Sequence, residues 1–293
     1  MPSSTFFTEP PHWRWLIALY FFVGGLAGGC YFLAALMDFA GRRGERALAR
    51  LGYLVAFPAV VVSGLLLVLD LTRPLRFWHM MLQSETLRPM LKTYSPMSLG
   101  SWALLLFGGV AFLSFVGALA RPDSPLRALR PPSPLGWIIT VLGGLLGFFV
   151  AGYTGVLLAV TNRPIWSDTP LLGLTFIVSS ASTSIALLLL LGARRAWAPG
   201  LTALRRLDVW VLILELVALV ALVASLGSVA RAWLNAWGAL LAIGVVGLGI
   251  VVPLLLNWRS RAPGGPSATA AAVLVLIGGF LLRVVIVLSA QGV

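Results

Sequence analysis

Apolar residues fill long unbroken stretches of this chain, and polar residues gather in the short segments between them. Eight apolar runs recur, at about 14–39, 51–72, 97–120, 135–161, 169–192, 207–229, 235–257 and 268–290. At 1.5 Å per residue, each run is long enough to cross the ~30 Å hydrocarbon core of a bilayer as a helix. Lipid offers no partner for free backbone N–H and C=O groups, so such runs are predicted to be helical, and the alternating polarity of barrel strands does not occur. The first run is too long for a cleavable signal peptide and has no basic segment before it. The expected fold is an all-α polytopic membrane protein. It would form one integral membrane domain over 1–293, with eight transmembrane helices in two four-helix bundles.

Composition agrees with the pattern. Of 293 residues 59% are hydrophobic and only 10% are charged, whereas a soluble domain carries roughly a quarter charged residues. A soluble globular protein, a disordered chain and a disulfide scaffold are thereby excluded. The net charge of +12 reports orientation first. Thirteen arginines fall in loops on one side, led by Arg42, Arg43, Arg46 and Arg50; seven basic residues fall on the other, and Arg283 lies inside a span. The richer side is expected to be cytoplasmic, which puts both termini on the outer, periplasmic side of a bacterial inner membrane. No segment combines a basic patch with the exposed aromatics that a nucleic-acid partner needs.

One loop departs from this charge rule. Arg73, Arg76, Arg88 and Lys92 all lie in the longest outer loop, 73–96. Phe77, Trp78, Met80, Met81 and Leu82 predict a short helix there, lying in the interface. It is either an amphipathic cover over the bundle or a docking surface for a partner on the outer side.

Cys30 is the single cysteine, and the only histidines, His12 and His79, fall outside the spans or at their edges. A disulfide, a zinc site, an Fe–S cluster and a bis-His haem within this chain are therefore not expected. A redox role would have to work with metals held by other chains.

Ionisable residues at membrane depth are costly and are candidate sites by default. Glu215 lies about eight residues, ~12 Å, from the cytoplasmic end of its span, and Arg283 about seven residues, ~10 Å, from the outer end of the last. They are either a buried structural pair or part of a conducting route. Asp208 and Asp38, at cytoplasmic span ends, also fit ordinary interface residues. Near the outer ends Asp70, Tyr20, Trp102 and Tyr153 form a layer suited to an amphipathic ring, although Tyr20 and Trp102 also fit the interfacial aromatic belt. Ser180 and its neighbours Ser179, Ser182, Thr183 and Ser184 either bond their own helix or line a hydrated proton route with Glu215 and Asp208. Gly24, Gly25, Gly28 and Gly29, and Gly143 with Gly147, form small-xxx-small pairs for close helix packing. Pro58 and Pro253 stand inside spans. On these residues alone, a secondary transporter or proton channel using Glu215 and Arg283, and a purely structural anchor, remain alternatives.

The ordered motifs Asp70-Leu-Thr-Arg73-Pro74-Leu-Arg76-Phe77, Ser95-Pro96-Met-Ser98-Leu-Gly100-Ser-Trp102, Tyr153-Thr154-Gly155, Pro164-Ile-Trp166 and Gly278-Gly279-Phe-Leu-Leu-Arg283 resemble the NrfD-like family, membrane subunits of the polysulfide reductase type. The resemblance spans nearly all eight runs. It implies a haem-free quinone-binding anchor of a respiratory oxidoreductase complex, using menaquinone or ubiquinone. Its partners would be a four-cluster ferredoxin-like Fe–S subunit and a molybdopterin catalytic subunit on the outer side. It assigns quinone contact to Tyr153; Tyr20, Asp70, His79 and Trp102 are expected nearby from their depth. Some members add an Asn and a His from the first helix, where this chain has Ile17 and Tyr20. Glu215, Arg283, Asp208 and Ser180 would support proton transfer, and Arg73, Arg76, Arg88 and Lys92 partner docking.

Overall fold

The computed structural model describes residues 13–41, 43–71, 73–121, 123–193, 198–259 and 265–291. His12 and the loop arginines Arg42, Arg194, Arg195 and Arg261 lie outside them. Among the described residues eight helices are long and apolar enough to span a membrane. They are α1 (Trp15–Ala40), α2 (Arg43–Asp70), α3 (Pro96–Leu119), α4 (Pro134–Ala159), α5 (Leu172–Ala193), α6 (Ala198–Ser225), α7 and α8 (Pro266–Ser289). Helix α7 is continuous but changes form, from α-helical Ala236–Ala239 through π-helical Leu240–Val251 to α-helical Val252–Arg259.

The predicted runs map one to one onto these helices. Boundaries differ most at α2 and α6, which start well before their apolar runs. Their opening turns carry Arg46, Arg50, Arg205 and Arg206, which leave the hydrocarbon while the backbone ladder continues, so hydropathy marks lipid depth and not the helix end. At its far end α6 stops sooner than predicted. Gly227, at φ 53°, turns the chain into a 3₁₀ segment, Gly227–Trp233, that the apolar run did not reveal.

With eight spans both termini fall on one face of the bundle, the terminal face. Trp13 stacks on Trp166 there at 5.3 Å between centroids, and Arg163 Nη1 donates to the Ala290 carbonyl at 3.1 Å. Arg163, counted as a loop charge, is therefore buried, and ties the α4–α5 connection to the C-terminal end of α8. Trp166 is fully buried, with its indole N–H on the Ile286 carbonyl at 2.7 Å.

Helices α1–α4 close one four-helix bundle and α5–α8 a second, as expected. Helix α1 packs on both, touching α2 and α4 on one side and α5 and α8 on the other. Its glycines make this possible. A methyl at Gly28 would stand 2.3 Å from the Gly147 carbonyl oxygen, and methyls at Gly25 and Gly29 would stand 2.5 and 2.3 Å from the hydroxyls of Ser180 and Ser184. The predicted close-packing positions on α1 are thus real points of close approach between helices. Gly28→Val forces α1 and α4 apart, because its obstacle is backbone. It is expected to cost about 1–3 kcal/mol or more by overpacking, read as a lowered unfolding midpoint in detergent; an unchanged midpoint would contradict this packing.

Inside the first bundle a polar network holds the helices in register. The Tyr31 hydroxyl lies 2.6 Å from Ser114 Oγ and 3.1 Å from the Ile139 carbonyl. The Tyr53 hydroxyl donates to Asp38 Oδ2 at 2.8 Å, and the two tyrosine rings meet edge to face at 5.0 Å. Asp38 is thereby a buried, hydrogen-bonded carboxylate, not an exposed interface residue.

The segment 73–96 differs in part from its expected form. Pro74–Met80 is a 3₁₀ helix, and the rest folds back on itself. Leu82 bridges Pro89 in antiparallel fashion, and the Met90 N–H reaches the Met81 carbonyl at 2.8 Å. Pro74 and Pro89 interrupt the donors that a longer α-helix would need.

Candidate functional site

Four helices and the folded-back loop enclose a cavity of about 140 Å³ near the terminal face. Helix α1 supplies Ile17, Tyr20 and Phe21, α2 Leu67 and Asp70, α3 Met97, Gly100 and Ser101, and α4 Tyr153 and Leu157; Trp13 and Met80 complete the wall. A cavity of roughly 150 Å³ admits a benzene-sized ring, so this one is ring-sized and mostly apolar. Its polar groups are few and convergent. The phenols of Tyr20 and Tyr153 belong to buried residues, yet neither has a hydrogen-bond partner among the described residues. Buried hydroxyls are normally satisfied, so two open phenols facing one cavity are donors awaiting an acceptor. Asp70 sits half-buried at the edge, in the field of the Arg14 cation.

The cavity owes its shape to Gly100. A methyl there would lie 1.9 Å from Cζ of Tyr153 and 2.1 Å from its hydroxyl oxygen; the phenol occupies the place of the missing side chain. The Phe149 ring also stacks on it at 5.6 Å, so the phenol is held from two directions.

Of the five residues expected around the ring, Tyr153, Tyr20 and Asp70 line this cavity. Ile17, the other α1 position singled out, lines it as well. Trp102 and His79 do not. The Trp102 indole donates to the Met90 carbonyl at 3.1 Å, pinning the loop to α3. His79 lies on the loop with its ring against Trp78 at 3.7 Å and Nδ1 3.1 Å from the Arg76 carbonyl.

A second polar group lies deeper, between α5, α6 and α8. Arg283, 1% exposed, donates through Nη1 to Ser179 Oγ at 2.5 Å and the Gly279 carbonyl at 2.9 Å. Its Nη2 reaches Ser180 Oγ at 3.0 Å and the Phe176 carbonyl at 3.4 Å, and the guanidinium stands 5.2 Å over the Phe176 ring. Buried Glu215 faces the hydroxyls of Ser179 and Ser182 and lies in the field of Arg283. The Ser179 hydroxyl accepts from Arg283 on the side of α5 that Glu215 also approaches. Two helical turns along α6, buried Asp208 accepts from Asn257 Nδ2 at 2.8 Å through Oδ2, while its Oδ1 is unpartnered among the described residues. Arg205 donates to the backbone carbonyl of Asn257. Beyond them a cavity of about 400 Å³, bounded by Arg205, Arg206, Asn257 and Trp258, opens toward the face opposite the termini. Glu215, Arg283, Asp208 and Ser180 thus share one bundle, and none is exposed.

Gly100 and Asn257 were not among the expected site residues. Asn257 was findable as the lone amide in an apolar run, VVPLLLNWR. Gly100 carried no signal of this role, because its role is the space it leaves. The docking candidates Arg73, Arg76, Arg88 and Lys92 are all exposed on the folded-back loop, beside Leu75 and Tyr94 at 90% and 82% exposure. Among the described residues no group of three or more His, Cys, Asp or Glu side chains is placed to hold a metal ion.

Eight helices long and apolar enough to cross a bilayer, with no strand of any length among the described residues, define a polytopic all-α membrane protein. Over residues 3–293 the sequence matches the family model described as "Polysulphide reductase, NrfD", and the chain belongs to that family. It is 29% identical to Protein NrfD of Escherichia coli (strain K12) over 99% of this chain and 98% of the relative. It is 28% identical to the C chain of polysulfide reductase from Wolinella succinogenes over 95% and 94%, and 25% identical to the NrfD homolog of Haemophilus influenzae over 95% and 94%. The protein is a multi-pass protein of the bacterial inner membrane.

Proposed function

We propose that this chain is the haem-free quinone-reactive anchor subunit of a multi-subunit respiratory oxidoreductase. It exchanges electrons between a membrane quinone, menaquinone or ubiquinone, and an Fe–S partner subunit. The observation that carries this reading is the ring-sized cavity with the open phenols of Tyr153 and Tyr20. The Wolinella relative is by name one polypeptide of a polysulfide reductase, which supports a role within a larger complex.

A quinone supplies two-electron, two-proton chemistry. The chain's own residues bind and orient it. Tyr153 donates a hydrogen bond to one carbonyl, and Tyr20 donates to the ring from α1. Asp70, at the rim beside Arg14, exchanges protons with the aqueous face, and the His79 imidazole lies on the loop against Trp78. Trp102 acts from outside the cavity by fixing the loop that carries Met80.

The terminal face is then the outer one. Arg73, Arg76, Arg88 and Lys92 form a basic docking surface for the four-cluster ferredoxin-like subunit, which joins the chain to a molybdopterin catalytic subunit. Arg283, Ser180, Glu215 and Asp208 form a polar column from below the cavity toward the opposite face. Proton passage along it makes turnover electrogenic, each charge moved against 100 mV costing about 2.3 kcal/mol.

Purification in mild detergent tests the reading. An Fe–S subunit and an extractable quinone are expected to accompany the chain. A chain that purifies without either, and that alone drives solute or proton uptake in proteoliposomes, overturns it in favour of a transporter.

A further inference from the structure

Besides the ring-sized cavity, the protein has a groove of about 580 Å³ between α2 and α3, with walls almost wholly apolar. Its floor is made by absence. Gly64 on α2 and Gly108 and Gly109 on α3 line it, and side chains built at these positions would meet nothing within 4 Å. Three glycines facing open space are not explained by helix packing, which uses glycine where backbones touch, as at Gly28. The groove runs along α2 from Leu71 to Phe57, fourteen residues or about 21 Å at 1.5 Å per residue. Its outer end is bounded by Phe77, Met80 and Met81 of the folded-back loop.

The groove and the cavity adjoin. Leu67, Leu71, Met80 and Ser101 line both. The one polar group among them is already used, because the Ser101 hydroxyl donates to the Met97 carbonyl at 2.6 Å. The shared wall is therefore apolar, and it stands between the two phenols and the hydrocarbon layer.

We propose that this groove holds the polyisoprenoid tail of the quinone whose ring occupies the cavity, and that the quinone enters from the lipid between α2 and α3. The inference rests on the proposed function and deepens it. The occupant is a hydrocarbon tail because the walls offer dispersion contacts and almost no polar partner. It is a tail attached to a ring because the groove adjoins a cavity with two hydrogen-bond donors. A free phospholipid fits less well, since the loop residues Phe77, Met80 and Met81 stand at the end where its polar head would lie.

The test compares two ligands on the full chain in lipid nanodiscs: tail-less 2,3-dimethyl-1,4-naphthoquinone, and menaquinone with a tail of four isoprene units. Binding is read as quenching of tryptophan fluorescence, Trp13 being part of the cavity wall. Gly64→Phe and Gly109→Phe fill the groove from positions where an added Cβ meets no atom within 4 Å, and the unfolding midpoint of each variant in detergent, expected to match the wild type, shows that it is folded. The tailed quinone is expected to lose tenfold or more in affinity in each variant, and the tail-less one to bind as to the wild type. Unchanged binding of the tailed quinone, including the case where only a co-purifying phospholipid is lost, overturns the groove assignment and leaves the cavity reading intact. Equal losses for both ligands also overturn it, since the substitutions would then act on the ring site. Failure of the tail-less quinone to bind the wild type overturns the proposed function itself, and the groove assignment with it.

Discussion

On the proposed function, Gly100→Ala is expected to abolish quinone binding. The added methyl falls 1.9 Å from Cζ of Tyr153, well inside van der Waals contact, and the stacked Phe149 ring restricts retreat. The phenol must leave its present place, and with it the aim it has into the cavity. Tyr153→Phe is the milder companion. It removes one neutral hydrogen bond of about 0.5–1.5 kcal/mol, a two- to tenfold loss of affinity, and keeps the cavity's shape. Measured by titration with 2,3-dimethyl-1,4-naphthoquinone and by quinol turnover of the assembled complex, Gly100→Ala is expected to be the more damaging of the two. Wild-type affinity and turnover in both variants would remove Tyr153 from the site.

Glu215→Leu destabilises the protein by about 3–5 kcal/mol, the usual cost of leaving a buried charge without its counter-charge. Arg283 cannot shed its proton, and four hydrogen bonds to neutral oxygens do not cancel its charge. The opposite substitution, Arg283→Met, costs less, because a carboxyl left alone can take up a proton and become neutral. Glu215→Gln keeps the side chain's size and polarity beside the serines of α5 and is expected to fall between the two. Thermal unfolding of the three variants in one detergent gives the order; equal midpoints for Glu215→Leu and Arg283→Met would mean that the two charges do not depend on each other. Proton coupling is tested separately by Glu215→Gln in vesicles carrying the complex. Lowered activity or altered coupling is expected, and wild-type behaviour would make Glu215 structural.

The number of spans, their order and most of their ends were legible because lipid permits one solution for a long apolar run. The depth of polar residues was legible for the same reason, and it placed Tyr20, Asp70 and Tyr153 near one level. Depth gives no azimuth. Trp102 shares that level but turns to Met90, and His79 turns to Trp78, so neither lines the cavity. Sequence also could not reveal which glycines pack and which leave room. Gly28 and Gly109 look alike in an apolar run, yet one touches a facing backbone and the other an open groove. The hydroxyl run of α5 was ambiguous between bonding its own helix and facing other groups, and it does both. Thr183 bonds the Ser179 carbonyl at 2.8 Å, whereas Ser179 and Ser180 turn outward to Arg283.

The two bundles invite a cut between α4 and α5, but the protein is not divisible there. Helix α1 presents Gly25 and Gly29 to Ser180 and Ser184 on α5, and the connection itself carries Trp166 into contact with α8. A fragment ending at α4 would expose the glycine seam of α1 with nothing to fill it. A fragment beginning at α5 would leave the hydroxyls of α5 facing hydrocarbon. Reporter fusions and split versions of this protein therefore belong at the face opposite the termini, where the α3–α4 and α7–α8 connections can be opened without parting α1 from its second partner.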